Sequence, residues 1–119
     1  MKYLLMIHQG TTPTPLDPEA WATLSAEEQR EIYAGYKALN ETPGVTPGHG
    51  LQPPDTATTV RVRDGEVAAT DGPFVDSKEA LNGYFTYDAA DLDAAIAIAA
   101  TVPAARLGAA IEVRPIMEW

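Results

Sequence analysis

The run Tyr3-Leu4-Leu5-Met6-Ile7 constrains the architecture more than any other stretch of this chain. It is apolar at every position, with no polar residue alternating, so as a strand it needs cover on both faces. A strand of that kind belongs in the middle of a sheet, and the sheet needs a layer above and a layer below. At 119 residues the chain is one domain, residues 1–119. The layers must come from the rest of the domain or from a second copy of it.

The signals that follow supply the first layer. Asp17-Pro18-Glu19 reads as an N-cap with proline at the first helical position, starting a short helical turn through Trp21. Ser25-Ala26-Glu27-Glu28 is a capping box. Ile32, Tyr33, Tyr36 and Leu39 then recur at helical spacing and predict a helix from about Ala26 to Asn40, ended by Pro43-Gly44. Val45 to Gln52 predicts a weak strand, interrupted by Pro47-Gly48 and Gly50. Thr56 to Arg63 alternates with period two, Asp64-Gly65 supplies a two-residue turn, and Glu66 to Thr70 returns as a hairpin. Leu81 to Tyr87 predicts the next strand. Asp91 caps a second helix along Leu92, Ala95, Ile96 and Ala99, which Pro103 stops. Ala109 to Pro115 predicts the last strand, with Glu112 and Arg114 outward.

The order is β-α-β-(hairpin)-β-α-β. It predicts an α+β fold of ferredoxin-like type, β-α-β-β-α-β with an inserted hairpin, in which two helices cross one face of an antiparallel sheet. The other face is read as apolar along Tyr3–Ile7, Gly83–Tyr87 and Ile111–Val113. Two sheets packed face to face would cover it, so a homodimer with a barrel-like centre, a dimeric α/β-barrel, is expected.

Charge and composition remove several classes of function. The formal net charge is −9, and only Arg61 and Arg63 cluster among the basic residues. A nucleic-acid partner needs a continuous basic surface, so none is expected. No run approaches the roughly 20 apolar residues that span a bilayer. The first residues lack the apolar core and cleavage site of a signal peptide. No membrane partner is expected, and the cytoplasm is the expected compartment. The absence of cysteine excludes disulfides, thiolate metal sites and a cysteine nucleophile. No H-x-H or H-x-x-E-H spacing and no glycine-rich phosphate loop occurs, so neither a metal nor a cofactor is expected.

Between hairpin and next strand stands Asp71-Gly72-Pro73-Phe74. Glycine takes positive φ freely and proline fixes φ near −65°, so these four residues turn the chain and set a carboxylate beside an aromatic ring. Asp71 is the leading acid/base candidate; its alternative role is to cap its own turn. His8, at the end of the first strand, can exchange protons near neutral pH and could form a dyad with Asp71. His49 lies between two glycines in a loop. Lys78 or Arg114 could hold an anion, and Tyr3, Tyr36 and Phe74 could wall a pocket for a small organic ligand.

The motifs themselves resemble a known family. Met1-Lys2-Tyr3-Leu4-Leu5, Gly50-Leu51-Gln52-Pro53, Thr58-Thr59-Val60-Arg61, Thr70-Asp71-Gly72-Pro73-Phe74, Lys78-Glu79 with Leu81 and Gly83-Tyr84, and Ile111-Glu112-Val113-Arg114-Pro115-Ile116 span nearly the whole length. They resemble the YCII-related proteins, in the branch named for its Asp-Gly-Pro-Phe (DGPF) motif. The resemblance implies a dimeric ferredoxin-like barrel and an acid/base site, in a family whose members mostly lack an assigned reaction. It also implies a setting near extracytoplasmic-function sigma factors. The resemblance also implies the His-Asp pair of the wider family, to which neither His8 nor His49 is securely matched. Two functions follow as expectations. One is a small cofactor-independent enzyme, a lyase or isomerase, working by proton transfer at Asp71 with His8 assisting. The other is a non-catalytic dimeric module that binds a ligand or a signalling partner.

Overall fold

The sheet is laid against β1, Lys2–His8. In the computed structural model, which describes residues 1–9, 12–15, 17–74 and 80–118, β1 is flanked by two antiparallel neighbours. These are β5, Leu81–Asp88, and β6, Ala110–Pro115. β2, Val45–Gly50, pairs with β5, giving the order β2-β5-β1-β6. The first strand is therefore central, as its apolar run requires.

Register decides which residues form the core. Leu5 stands opposite both Phe85 and Val113, Tyr3 opposite Tyr87 and Pro115, and Ile7 opposite Gly83 and Ile111. Directly opposed residues share a face, so these residues make one apolar surface. Leu5 is fully buried, and Tyr3, Ile7 and Phe85 nearly so. Burying a side chain such as Leu5 contributes roughly 2 kcal/mol. The opposite face differs from the expectation of apolar cover on both sides. Leu4, Met6 and His8 are only half-buried there. Their cross-strand neighbours are Tyr84, Thr86, Glu112 and Arg114, so this face mixes polar with apolar groups.

Helices cover the core face. α1 is Pro18–Ala22, with the Asp17 side chain accepting from the Ala20 N–H. α2 is Ala26–Asn40, the span its periodicity predicts. Its capping box is complete: the Glu28 N–H donates to Ser25 Oγ at 3.1 Å, and the Ser25 N–H to Glu28 Oε1 at 3.0 Å. The hydrogen bond from the Ser25 backbone holds the Glu28 carboxyl below its ordinary range. Ile32 and Leu39 point inward from α2. Tyr33 leaves the stripe and packs edge-on against Trp21, ring centroids 5.5 Å apart. α3, Leu92–Thr101, begins at Asp91, whose carboxylate accepts from the Ala94 N–H at 2.8 Å. Pro103 ends α3 and also opens α4, Pro103–Arg106, a turn that the sequence reading leaves out. Proline at the first helical position has no N–H to lose, so it both stops one helix and starts another.

β3, Thr58–Arg63, and β4, Glu66–Asp71, form a separate two-stranded sheet. Asp64 and Gly65 both have positive φ, 51° and 78°, the pattern of a type I′ turn, whose twist suits a hairpin. Opposed pairs put Val60, Val62, Val67 and Ala69 on one side of this hairpin. The three valines remain exposed.

Candidate functional site

His8 and Glu112 meet because the first strand pairs with the last. In the β1–β6 register His8 faces Ala110 and Met6 faces Glu112, so His8 and Glu112 are diagonal neighbours on the face away from the helices. Diagonal side chains are within reach when long. His8 Nε2 lies 3.1 Å from Glu112 Oε1. The other carboxylate oxygen, Oε2, accepts from the Arg114 guanidinium, two residues along the same strand. His8 is one quarter exposed, with 26% of its side-chain surface accessible.

Arg114 holds the Glu112 carboxyl below its ordinary value through its hydrogen bond, and His8 adds to the effect. Near neutral pH the carboxylate is thus ionised and can only accept. The hydrogen it shares with His8 must then sit on Nε2, which leaves Nδ1 of a neutral ring as a bare acceptor. Arginine fixes the carboxylate, the carboxylate fixes the imidazole, and Nδ1 of the imidazole has no hydrogen-bond partner among the described residues.

A cavity of about 800 Å³ opens beside this group. His8 and Glu112 line it, as do Ile111, Leu81, Pro73 and Phe74. The Asp-Gly-Pro-Phe loop therefore walls the space that His8 borders. The loop is pinned to the hairpin: the Gly72 N–H donates to the Ala57 carbonyl at 2.7 Å, and Thr59 Oγ1 donates to the Gly72 carbonyl at 2.8 Å. Gly72 has φ +104°, a conformation that L side chains rarely adopt. The Arg61 guanidinium stands 5.0 Å from the centre of the Phe74 ring, a cation–π contact across the same loop.

The remaining candidates are distributed more widely than the sequence reading grouped them. Asp71 ends β4 opposite Thr58 and is exposed. Among the described residues its carboxylate has no hydrogen bond, either to His8 or to its own turn. Tyr3 is a core residue beside Tyr87 and lines neither the cavity beside His8 nor the one that Tyr36 borders. Tyr36 and His49 line a second cavity, of about 500 Å³. Burial pushes the Tyr36 phenol above its ordinary range, against a hydrogen bond from the Ala104 backbone. His49 Nδ1 lies 2.9 Å from Tyr84 Oη. A Cβ on Gly48 would come within 2.1 Å of the Tyr84 carbonyl oxygen, so only glycine lets β2 approach Tyr84 this closely. Lys78 lies outside the described residues. Sequence reasoning missed Glu112 as a site residue and placed it only as an outward position beside Arg114 on the last strand. Among the described residues no cluster of three or more His, Asp or Glu could hold a metal, and no helix is long and apolar enough to cross a membrane.

A family model for the YCII-related domain matches residues 1–119. The chain belongs to the YCII-related domain family. This YCII-related chain is also 33% identical over 118 residues to an uncharacterized protein of Rhizobium meliloti (strain 1021), a match covering 98% of this chain and 92% of that protein. Neither similarity carries an assigned reaction, so the site must be read from its own geometry.

The lowered Glu112 value sets a pH dependence. Its folded-state pKa lies below its unfolded one, so the stabilisation is present above the unfolded value, about 4.3. It is lost as pH falls through the folded value. A carbon-detected NMR titration of the Glu112 carboxyl is expected to show a midpoint below the usual glutamate value. The midpoint should rise most in Arg114→Ala and less in His8→Ala. Equal midpoints in all three proteins would contradict the coupling.

Proposed function

We propose that this YCII-related protein is a small enzyme that moves protons on a small organic molecule, with His8 as its general base. The observation that carries the proposal is the 3.1 Å contact of His8 Nε2 with Glu112 Oε1 at the wall of a large cavity. A base needs a free acceptor atom, a fixed tautomer and space for a substrate. Nδ1 is the acceptor, Glu112 sets the tautomer, and the cavity is the space. Arg114 acts through Glu112 and is a positioning residue. Phe74 and Leu81 supply apolar wall, and this environment favours a carbon acid next to a carbonyl over a highly charged substrate. Asp71 stays in the proposal as a second acid/base from the DGPF loop.

Three features support a ferredoxin-like, dimeric arrangement of the DGPF-branch type. The strand order β2-β5-β1-β6, with helices on one face, is the order such a fold would have. The half-buried face of Leu4 and Met6 and the exposed valines of the hairpin offer apolar surface to a second copy. The radius of gyration, 16.1 Å, also exceeds the roughly 13–14 Å of a compact chain this long. Such an excess suits a chain with an arm that reaches a partner. Sedimentation at micromolar concentration is expected to give twice the chain mass, and a monomer mass would remove the dimer from the proposal.

The chemistry is tested by deuterium exchange. Small ketones and keto acids are incubated with protein in D2O, and loss of the α-proton signal is followed by NMR. At least one compound is expected to exchange faster with the wild type. The enhancement should fall by about 100-fold or more in His8→Ala, as removal of a general base does. A smaller loss is expected in Glu112→Gln, and a loss in Asp71→Asn would bring Asp71 into the reaction. A panel in which His8→Ala exchanges every compound as fast as the wild type would overturn the assignment.

A further inference from the structure

The second cavity is a separate space with a different chemistry. It lies between α2 and the sheet, with Ile32 and Leu39 of α2 on one side and Ile7 and Phe85 of the sheet on the other. Its volume, about 500 Å³, falls within the range of small-molecule sites. His8 and Glu112 do not line it; the two cavities share only Leu51 and Gln52 among their described lining residues.

Two features suggest what it would hold. First, charged residues make up 21% of the chain, yet no Asp, Glu, Lys or Arg stands among the described lining residues. A charged ligand entering this space would give up its hydration with no carboxylate, ammonium or guanidinium to replace it, which is costly. The imidazole in the lining, His49, already has its Nδ1 2.9 Å from Tyr84 Oη. Second, the lining holds two kinds of uncharged recognition group. Trp21, Tyr36 and Phe85 are aromatic, while Gln9, Asn40 and Asn82 carry amides. Aromatic rings suit a flat apolar body, and amides suit a single carbonyl or hydroxyl on it.

The sheet side also has room. Gly83 stands opposite Ile7 on the core face, and a Cβ placed there would meet nothing closer than 3.6 Å. A Cβ there would make ordinary contacts with the His49 carbonyl and the Ile7 side chain without a clash, at a position that lines the cavity.

We propose that this cavity is a binding site for a neutral, flat, mostly apolar molecule bearing one hydrogen-bonding group, distinct from the proton-transfer site at His8. Occupancy of this site does not require the His8 chemistry, so either can fail alone.

The test uses a matched pair of probes, 2-naphthamide and 2-naphthoate, which share a ring system and differ in charge. Binding is followed by tryptophan fluorescence and by amide chemical shifts in the wild-type protein. Saturable binding of 2-naphthamide is expected, with 2-naphthoate at least about 10-fold weaker. The shifted amides should cluster at Ile7, Ile32, Gly83 and Leu107. Gly83→Leu, filling the cavity, should abolish the fluorescence change, while His8→Ala should keep it. Equal affinity for the two probes would overturn the proposal. So would shifts confined to the His8–Glu112 face, or no binding up to the solubility limit of the amide. The wild-type shift map decides the matter even if Gly83→Leu fails to fold.

Discussion

The pairing of β1 with both β5 and β6 is the constraint on which the rest depends. It places the first strand between the third and last strands of the main sheet. Alternation along β1 then divides its residues. Tyr3, Leu5 and Ile7 go to the helix-covered core, and Leu4, Met6 and His8 go to the other face. One register thus makes the core and the His8–Glu112 contact together. A slip of β1 by one residue would exchange the two sets, putting His8 under the helices, away from Glu112, and Leu5 on the opposite face. The burial of Leu5 and Phe85 therefore also fixes the position of a site to which neither belongs.

The ion pairs of the site add little stability, since exposed pairs in water are screened and entropically costly. Their value is positional. Arg114 keeps the Glu112 carboxyl ionised, and the ionised carboxylate selects one hydrogen position on His8. The DGPF loop makes a second contribution from outside the main sheet. Its anchors are backbone and hydroxyl contacts to the hairpin, through Ala57 and Thr59, and the stacking of Arg61 on Phe74. Hairpin and loop therefore form one unit, and the loop's position over the cavity depends on the hairpin being formed.

Much of the fold was legible in the residues because its signals are local. Ser25 with Glu28, Asp91, and Asp64-Gly65 each mark a boundary by chemistry that acts within a few residues, and each boundary is where that chemistry puts it. The short helix after Pro103 was not legible, because proline signals both an end and a beginning. The site was legible only in part. His8 stood out as a titratable group at a strand end. Its partner did not, because Glu112 is 104 residues away and nothing in its spacing encodes which strands pair. Asp71 stood out for the turn it belongs to, and the structure leaves its carboxylate exposed at the hairpin's neck. Likewise, the two cavities separate candidates that the sequence grouped together, placing Phe74 with His8 and Tyr36 with His49.

The hydrogen position on the His8 ring tests this chain of control most directly. A long-range proton–nitrogen NMR correlation of the His8 imidazole, recorded where the ring is neutral, distinguishes its two tautomers. With Glu112 ionised and in contact with Nε2, the expected result is hydrogen on Nε2 and a bare Nδ1. A ring carrying its hydrogen on Nδ1 would mean that Glu112 does not set the tautomer and that the basic atom does not exist where the proposed reaction needs it.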